Sequence, residues 1–461
     1  MSIAFGLLVI AGAVYAIARK VEVRLMLLLA SLALAFIAGC DRLAHGQGWP
    51  AFAAAPMQII RTFLITFSNE KFVVPICSAM GFAFVLRQTQ CDQHLVRLLT
   101  RPFERVRPLL VPGAVLVGFF VNVPLISQTS TAVAVGTVLV PLLRAARISP
   151  ITIGAALMLG ASLGGELLNQ AAPELRSVAE ALKDTYPQSS SADCVAHIAR
   201  LVWPHLLVST LVFWFVCWRA ERREVGAAPP VEPAAALPPF AINPIKALVP
   251  FVPLIILALT SPALNILPIP ESWLVDRAKE KSGAFDSRLI GAAMLLGVVA
   301  AALTARKSFK DSARSFFEGA GYGFTYIIGL IVAASCFGDG IKLIGLNQVL
   351  GRVIVQYPGL LIPLAAIIPL CFGLLSGSGM AATQSLFEFF VEPCRLTGAD
   401  PFHVGAVVSL GAAAGRTISP VAAVTLMCSN MTEINPFALS RRVAIPALIG
   451  LTVVVILAMV I

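Results

Sequence analysis

Residues 359–394 read GLLIPLAAIIPLCFGLLSGSGMAATQSLFEFFVEPC. Two apolar arms, Gly359–Leu375 and Met380–Cys394, flank a small polar tip, Ser376-Gly377-Ser378-Gly379. As a helix, each arm is roughly 20 Å long, short of the ~30 Å hydrocarbon core of a bilayer. Paired arms of that length enter and leave on one face, which predicts a re-entrant hairpin. Leu109–Pro124 and Thr131–Leu143 repeat the pattern around Ser127-Gln128-Thr129-Ser130-Thr131. Non-helical backbone at membrane depth is tolerated only when buried in protein or lining a cavity. Both tips are therefore candidate parts of a binding site.

The composition requires a membrane. Of 461 residues, 58% are hydrophobic and 13% charged, and the mean hydropathy is +0.87. No soluble core hides that much apolar surface. Apolar runs of spanning length recur at Ser2–Ala18, Leu25–Ala38, Leu201–Trp218, Arg288–Ala305 and Val443–Ile461. The first run has Arg19 and Lys20 after it rather than before it, the reverse of a secretory signal, and reads as a retained helix. The nine cysteines are scattered singly, and no Cys/His cluster points to a disulfide framework or a metal.

The net charge of +10 is distributed as a topology signal, not as a nucleic-acid footprint. Loops near 19–24, 87–107, 144–147, 219–246, 306–318 and 433–442 carry 20 Lys/Arg against 9 Asp/Glu. Those near 41–71, 174–200, 271–288, 339–352 and 388–400 carry 13 against 14. The positive-inside rule places the first set in the cytoplasm and both chain termini outside. The first hairpin then opens inward and the second outward. The segment 174–200 reads as a polar surface excursion.

A gapless shift of 251 residues aligns Ser127 with Ser378, Arg144 with Arg395, Pro150 with Pro401 and Gly164 with Gly415. It also aligns Leu159-Gly160-Ala161 with Leu410-Gly411-Ala412. The expected fold is an all-α membrane protein built as an inverted repeat, with two re-entrant hairpins, broken crossing helices and about eleven transmembrane helices. The first repeat is 1–225, with hairpin 109–147 and broken helix 150–173. A Pro/Ala-rich linker occupies 226–240. The second repeat is 241–461, with hairpin 359–398 and broken helix 401–430.

Each crossing helix carries a breaker: Gly164-Gly165-Glu166-Leu167-Leu168-Asn169 in the first, Gly415-Arg416-Thr417-Ile418-Ser419-Pro420 in the second. A half-helix starting at mid-depth offers N–H donors and a partial positive charge to an anion, and the end of its predecessor offers carbonyls to a cation. Hydroxyls at these points replace the water shell of a carboxylate. The candidate substrate-binding residues are Ser127, Thr129, Ser130, Thr131, Ser376, Ser378, Gly379, Arg416, Thr417 and Ser419. Glu166, Asn169, Gly164 and Gly415 are the candidates for the coupling cation. A small hydroxylated residue in a membrane helix also serves plain close packing, so the clusters weigh more than any one residue. Arg416 is the sharpest: a charge at this depth marks a pathway or a partner. It either holds a substrate carboxylate through its planar fork or pairs with Glu166.

At these residues the sequence resembles the C4-dicarboxylate transporter DcuC family, within the ion transporter superfamily. The resemblance runs over nearly the whole chain. It is most specific from Leu375 to Pro446, through Ser376-Gly377-Ser378-Gly379, Gly415-Arg416-Thr417-Ile418-Ser419-Pro420 and Asn435-Pro436-Phe437. Ser127 to Pro141, Ile148-Ser149 and Ala161-Ser162 match more weakly, and Gly164 to Asn169 departs from the best-known members. The resemblance implies secondary transport of succinate, fumarate or malate across a bacterial inner membrane. The superfamily plan implies a homodimer in which a transport domain moves past a scaffold. No cofactor is expected, and sodium or a proton is the candidate coupling ion. A transporter of another organic anion and a sodium/proton antiporter of the same superfamily are the rival readings, the antiporter set back by the lack of an Asp in the mid-membrane segments. A membrane enzyme is set back further, since no nucleophile–base pair, metal cluster or phosphate loop appears.

Overall fold

In the computed structural model, the described residues are 2–19, 21–103, 106, 109–183, 185–186, 189–224, 240–260, 266–276, 284–305 and 309–461. The linker read at 226–240 lies outside them, Phe240 apart. The described residues are helical, with no strand among them. Nine of their helices are long and apolar enough to cross a membrane, or ten if Glu70–Gln88 and Cys91–Thr100, bent by 75°, form one span. Ile3–Ile17, Leu110–Asn122 and Pro244–Thr260 are shorter apolar helices.

Local chemistry sets the ends of the central helices. In the first hairpin, Leu110–Asn122 ends short of the tip and Gln128–Ala145 starts at Ser127, whose hydroxyl accepts from the Ser130 N–H. In the second, Leu361–Ser376 stops at Gly377, which has φ +69° and closes the arm in the left-handed region open to glycine. Gly379–Leu386 then starts from Ser378, whose hydroxyl accepts from Ala381 N–H. These two serine caps stand 251 residues apart, as do the donors they serve. The crossing helices begin alike, with Pro150 after Ser149 and Pro401 after Asp400 in the first turn, where a missing N–H costs nothing.

Packing is tightest where glycine removes a side chain. A Cβ on Gly160 would lie 2.7 Å from the Val115 carbonyl, and one on Gly411 would lie 2.4 Å from the Ala366 carbonyl. Again both partners are 251 apart. In lipid there is little hydrophobic force between helices, so such backbone approach supplies much of the cohesion. The largest buried apolar cluster among the described residues joins Leu110–Asn122, Gln128–Ala145, Pro150–Ser162, Ser191–Glu224, Leu361–Ser376, Pro401–Ile418 and Pro436–Val460, with Val115, Phe119, Leu157, Ala366, Leu410 and Leu451 among its members. A second cluster packs Val23–Ala44 against Gly48–Phe67 and Gly329–Leu343.

Three sequence expectations are corrected. The arm Gly359–Leu375, read as too short to span, lies in Pro358–Ser376, a helix long and apolar enough to cross, because the helix starts one residue earlier and runs on through Ser376. The polar surface excursion read at 174–200 begins inside the bundle: Pro173–Leu182 is a buried helix, with Glu174 and Arg176 both under 5% exposed. The first broken crossing helix therefore continues beyond residue 173, and the apolar span runs over Pro150–Leu182. Arg176 is held there by hydrogen bonds to the Lys71 carbonyl and to Ser191 and Ser287. The outer loop read at 41–71 contains the helix Gly48–Phe67. Its Pro50, Pro56 and Arg61 break the apolar run in the sequence but are tolerated on a helix that buries little of its surface.

Candidate functional site

The two breaks meet. Pro150–Ser162 ends, Gly164 turns the chain at φ +100°, and Gly165–Leu168 forms one 3₁₀ turn. Opposite, Pro401–Ile418 ends at Ser419, and Ala423–Thr432 resumes beyond it. Arg416 reaches across from the second break to the first. Its Nη2 donates to Glu166 Oε1 at 2.6 Å and to the Ser162 carbonyl at 3.0 Å. Nη1 lies 3.5 Å from Glu174 Oε1. Gln128, in the first hairpin tip, donates to the same Glu166 oxygen at 3.0 Å. Glu166 Oε2 and Arg416 Nε are buried without a hydrogen-bond partner among the described residues.

A cavity of about 270 Å³ opens beside this cluster. Ser127, Gln128 and Thr129 of the first tip and Gly377, Ser378 and Gly379 of the second line it, together with Arg416 and Glu174. Tyr322 and Tyr326 close one side. Tyr326 and Leu330 also line a larger cavity of about 460 Å³, which takes in Ser376, Arg24 and Pro436. The smaller cavity and this wider vestibule thus share Tyr326 and Leu330 as lining residues.

Five of the predicted substrate residues, Ser127, Thr129, Ser378, Gly379 and Arg416, therefore border one space. Ser376 borders the vestibule, and its hydroxyl accepts from the Ser378 N–H. The others hold the frame. Thr131 is fully buried and donates to the Leu125 carbonyl. Thr417 bridges the Ser162 and Ala413 carbonyls at 2.8 and 2.7 Å. The Ser419 hydroxyl accepts from Val421 N–H while its carbonyl accepts from Thr425. Ser130 supplies the N–H that Ser127 caps.

The predicted cation residues sit at the breaks. Asn169 donates to the Val123 carbonyl and accepts from Ala171 N–H, tying the 3₁₀ turn to the end of the hairpin arm. Gly164 provides the left-handed turn, and Gly415 lets the Leu370 carbonyl pass where a Cβ would sit 2.1 Å away. Glu166 faces Arg416 rather than the cavity. Among the described residues no group of three or more His, Cys, Asp or Glu side chains could hold a metal.

Sequence reasoning passed over two residues. Glu174 was assigned to a loop; the signal lay in Pro173, which starts a helix whose Leu175, Val178, Ala179 and Leu182 share a buried face. Asn122, fully buried at the end of a hairpin arm, accepts from the Glu166 N–H at 3.1 Å and donates to the Leu125 carbonyl. A single amide in an otherwise apolar arm was its only sign.

The arrangement offers a small anion one guanidinium, several hydroxyls and the N-terminal turns of two hairpin helices. Residues 245–461 match the model of the C4-dicarboxylate anaerobic carrier family, and residues 72–168 match that of the Na+/H+ antiporter family. An uncharacterized transporter of Haemophilus influenzae is 40% identical over 99 residues, covering 22% of this chain and 68% of that protein. The anaerobic C4-dicarboxylate transporter DcuC of Escherichia coli K12 is 22% identical over 392 residues, covering 82% of this chain and 78% of that one. The crystal structure of the YdaH transporter of Alcanivorax borkumensis, described as having an unusual topology, shares the fold at a TM-score of 0.58 and 17% identity, covering 88% of both chains. The relatives and the family are transporters, not enzymes. The chain is a multi-pass membrane protein of the DcuC, or C4-dicarboxylate anaerobic carrier, family.

Proposed function

We propose that this protein is a secondary active transporter that moves C4-dicarboxylates such as succinate, fumarate and malate across the bacterial inner membrane. The observation that carries the reading is the placement of Arg416 at the wall of a cavity lined by both hairpin tips. One substrate carboxylate takes the Arg416 guanidinium, whose fork suits two oxygens. The other takes the hydroxyls and N–H groups at the start of the hairpin helices, at Ser127–Thr129 and Ser378–Gly379, where the helix dipole favours an anion. The cavity is smaller than the ~300–1,000 Å³ of drug-sized sites and suits a short polar metabolite. Thr131, Thr417, Ser419 and Asn169 fix the tips and breaks so that these donors converge.

In this reading the halves are inverted repeats, supported by the cap, proline and glycine contacts that recur 251 residues apart. Charge asymmetry puts the 19–24, 306–318 and 433–442 ends in the cytoplasm and both termini outside, with Gly48–Phe67 held along one face rather than crossing. The vestibule at Arg24 and Pro436 then lies on the cytoplasmic side. Transport proceeds by an elevator-like movement of the hairpins and crossing helices against the scaffold of a homodimer, coupled to protons or sodium. Uptake of labelled succinate, fumarate and malate into proteoliposomes, with proton or sodium gradients imposed in turn, tests this. Gradient-driven accumulation of a C4-dicarboxylate is the expected result; sodium/proton exchange with no dicarboxylate movement would move the protein to the antiporter class.

A further inference from the structure

Two carboxylates face one guanidinium, and they are not equivalent. Glu166 takes the short contact to Arg416 Nη2, also accepts from Gln128, and does not border the cavity. Glu174 stands off at 3.5 Å from Nη1 and borders the cavity directly. It occupies the position on Arg416 that a carboxylate entering from the cavity needs. With both glutamates ionised the three groups sum to −1, the wrong sign for a site that is to receive a dianion.

We infer that Glu174 is the proton-carrying residue that admits substrate: it binds one proton as a dicarboxylate displaces it from Arg416 Nη1. The inference rests on the transport reading above. A hydronium ion in the cavity gives its proton to a Glu174 carboxyl oxygen: one O–H bond of hydronium breaks, the acid O–H bond forms, and a water molecule is left. The neutral acid no longer repels the dianion, and its O–H becomes a donor to the incoming carboxylate. Arg416 and Glu166 then cancel, so the site itself carries no net charge.

The other charged groups near the helix Pro173–Leu182 are engaged away from Glu174. Lys71 at the start of Glu70–Gln88 pairs with Glu180, as does Lys183. Glu388 pairs with Lys342. Asp193, at the start of the helix Ser191–Glu224, accepts from Ser190. The hairpin helix Gly379–Leu386 carries no ionisable side chain. Besides Arg416 and Glu174 itself, the ionisable side chains that line the cavity among the described residues are the phenols of Tyr322 and Tyr326. Glu174 is thus the carboxyl that borders the cavity and meets an entering substrate.

Calorimetry of succinate binding to the purified full-length protein, in sodium-free buffers of differing ionisation enthalpy, counts the protons exchanged. At about pH 8, where succinate and ordinary carboxylates are fully ionised, the wild type is expected to take up about one proton per succinate bound. Its affinity should fall about tenfold per pH unit above the Glu174 pKa. Glu174→Gln should bind succinate with no proton uptake and with an affinity flat in pH. Proton uptake near zero in the wild type, or unchanged uptake in Glu174→Gln, overturns the inference while leaving dicarboxylate binding at Arg416 intact. The wild-type count decides alone if the variant does not fold. A wild type that binds no C4-dicarboxylate, with sodium added or left out, overturns the transport reading and this inference with it.

Discussion

Arg416 donates to Glu166 at 2.6 Å although the two lie 250 residues apart in the chain. The pair stitches the break in one crossing helix to the break in the other. An ion pair this deep in a membrane protein is expensive to desolvate and is more often retained for what it does than for the stability it adds. Its presence does not remove Arg416 from the cavity, because Nη1 remains on the cavity side, opposite Glu174.

Replacing Arg416 by Lys keeps the charge and loses the fork. The variant should reach the membrane and bind dicarboxylate more weakly. The loss of one charged hydrogen bond of ~1.5–3 kcal/mol corresponds to an affinity drop of about ten- to a hundred-fold. Equilibrium binding of labelled succinate measures it. Wild-type affinity in Arg416→Lys would show that the fork does not hold substrate.

Breaking the pair on one side should destabilise the protein. Arg416→Met leaves Glu166 and Glu174 buried without their cation, a cost of about 3–5 kcal/mol. Adding Glu166→Gln should recover a large part of the lost thermal stability, since the neutral amide still bonds to its neighbours. Thermal melts of the three proteins in one detergent compare them directly, and equal melting temperatures for the single and double variants would contradict the coupling.

The hairpin tips should be reachable from water and covered by substrate. In a background without the nine native cysteines, Thr129→Cys and Ser378→Cys should react with a water-soluble maleimide and react more slowly in saturating succinate. Leu295→Cys, at an exposed apolar position on the helix Phe285–Thr304, should stay unreactive. Tip cysteines as inert as position 295 would remove the cavity from the account.

The close backbone approach at the second break admits no side chain. Gly415→Ala places a methyl 2.1 Å from the Leu370 carbonyl, so it should cost at least ~1–3 kcal/mol. Gly321→Ala, with nothing within 4 Å and an exposed helical position, should be neutral or stabilising by about 0.5–1 kcal/mol. Folded yield after detergent extraction separates them, and a well-behaved Gly415→Ala protein would mean that the two helices part more easily than this packing implies.

The features legible in the sequence were those that interrupt an apolar background: the polar tips, the lone Arg416, and the Gly and Pro that break the crossing helices. The Arg416–Glu166 pair was readable as one of two alternatives because both charges lay at nearly matching positions in the two halves. Glu174 was not readable, because Pro173–Leu182 carries three charged side chains in ten residues and so resembles a loop. What buries them is supplied from far away: Arg416 for Glu174, and the Lys71 carbonyl with Ser287 for Arg176. Gly48–Phe67 was missed because Pro50, Pro56 and Arg61 interrupt its apolar run, while the helices it packs on, Val23–Ala44 and Gly329–Leu343, include one from far along the chain.

The central claim is that Arg416 holds the substrate between the two hairpin tips. The most direct measurement is succinate uptake by the double variant Arg416→Met with Glu166→Gln, reconstituted in proteoliposomes after its fold has been checked by thermal melting. The account predicts a folded protein in which saturable uptake is lost, because the charge match is restored but the guanidinium is gone. Succinate uptake at wild-type affinity by that protein would contradict it.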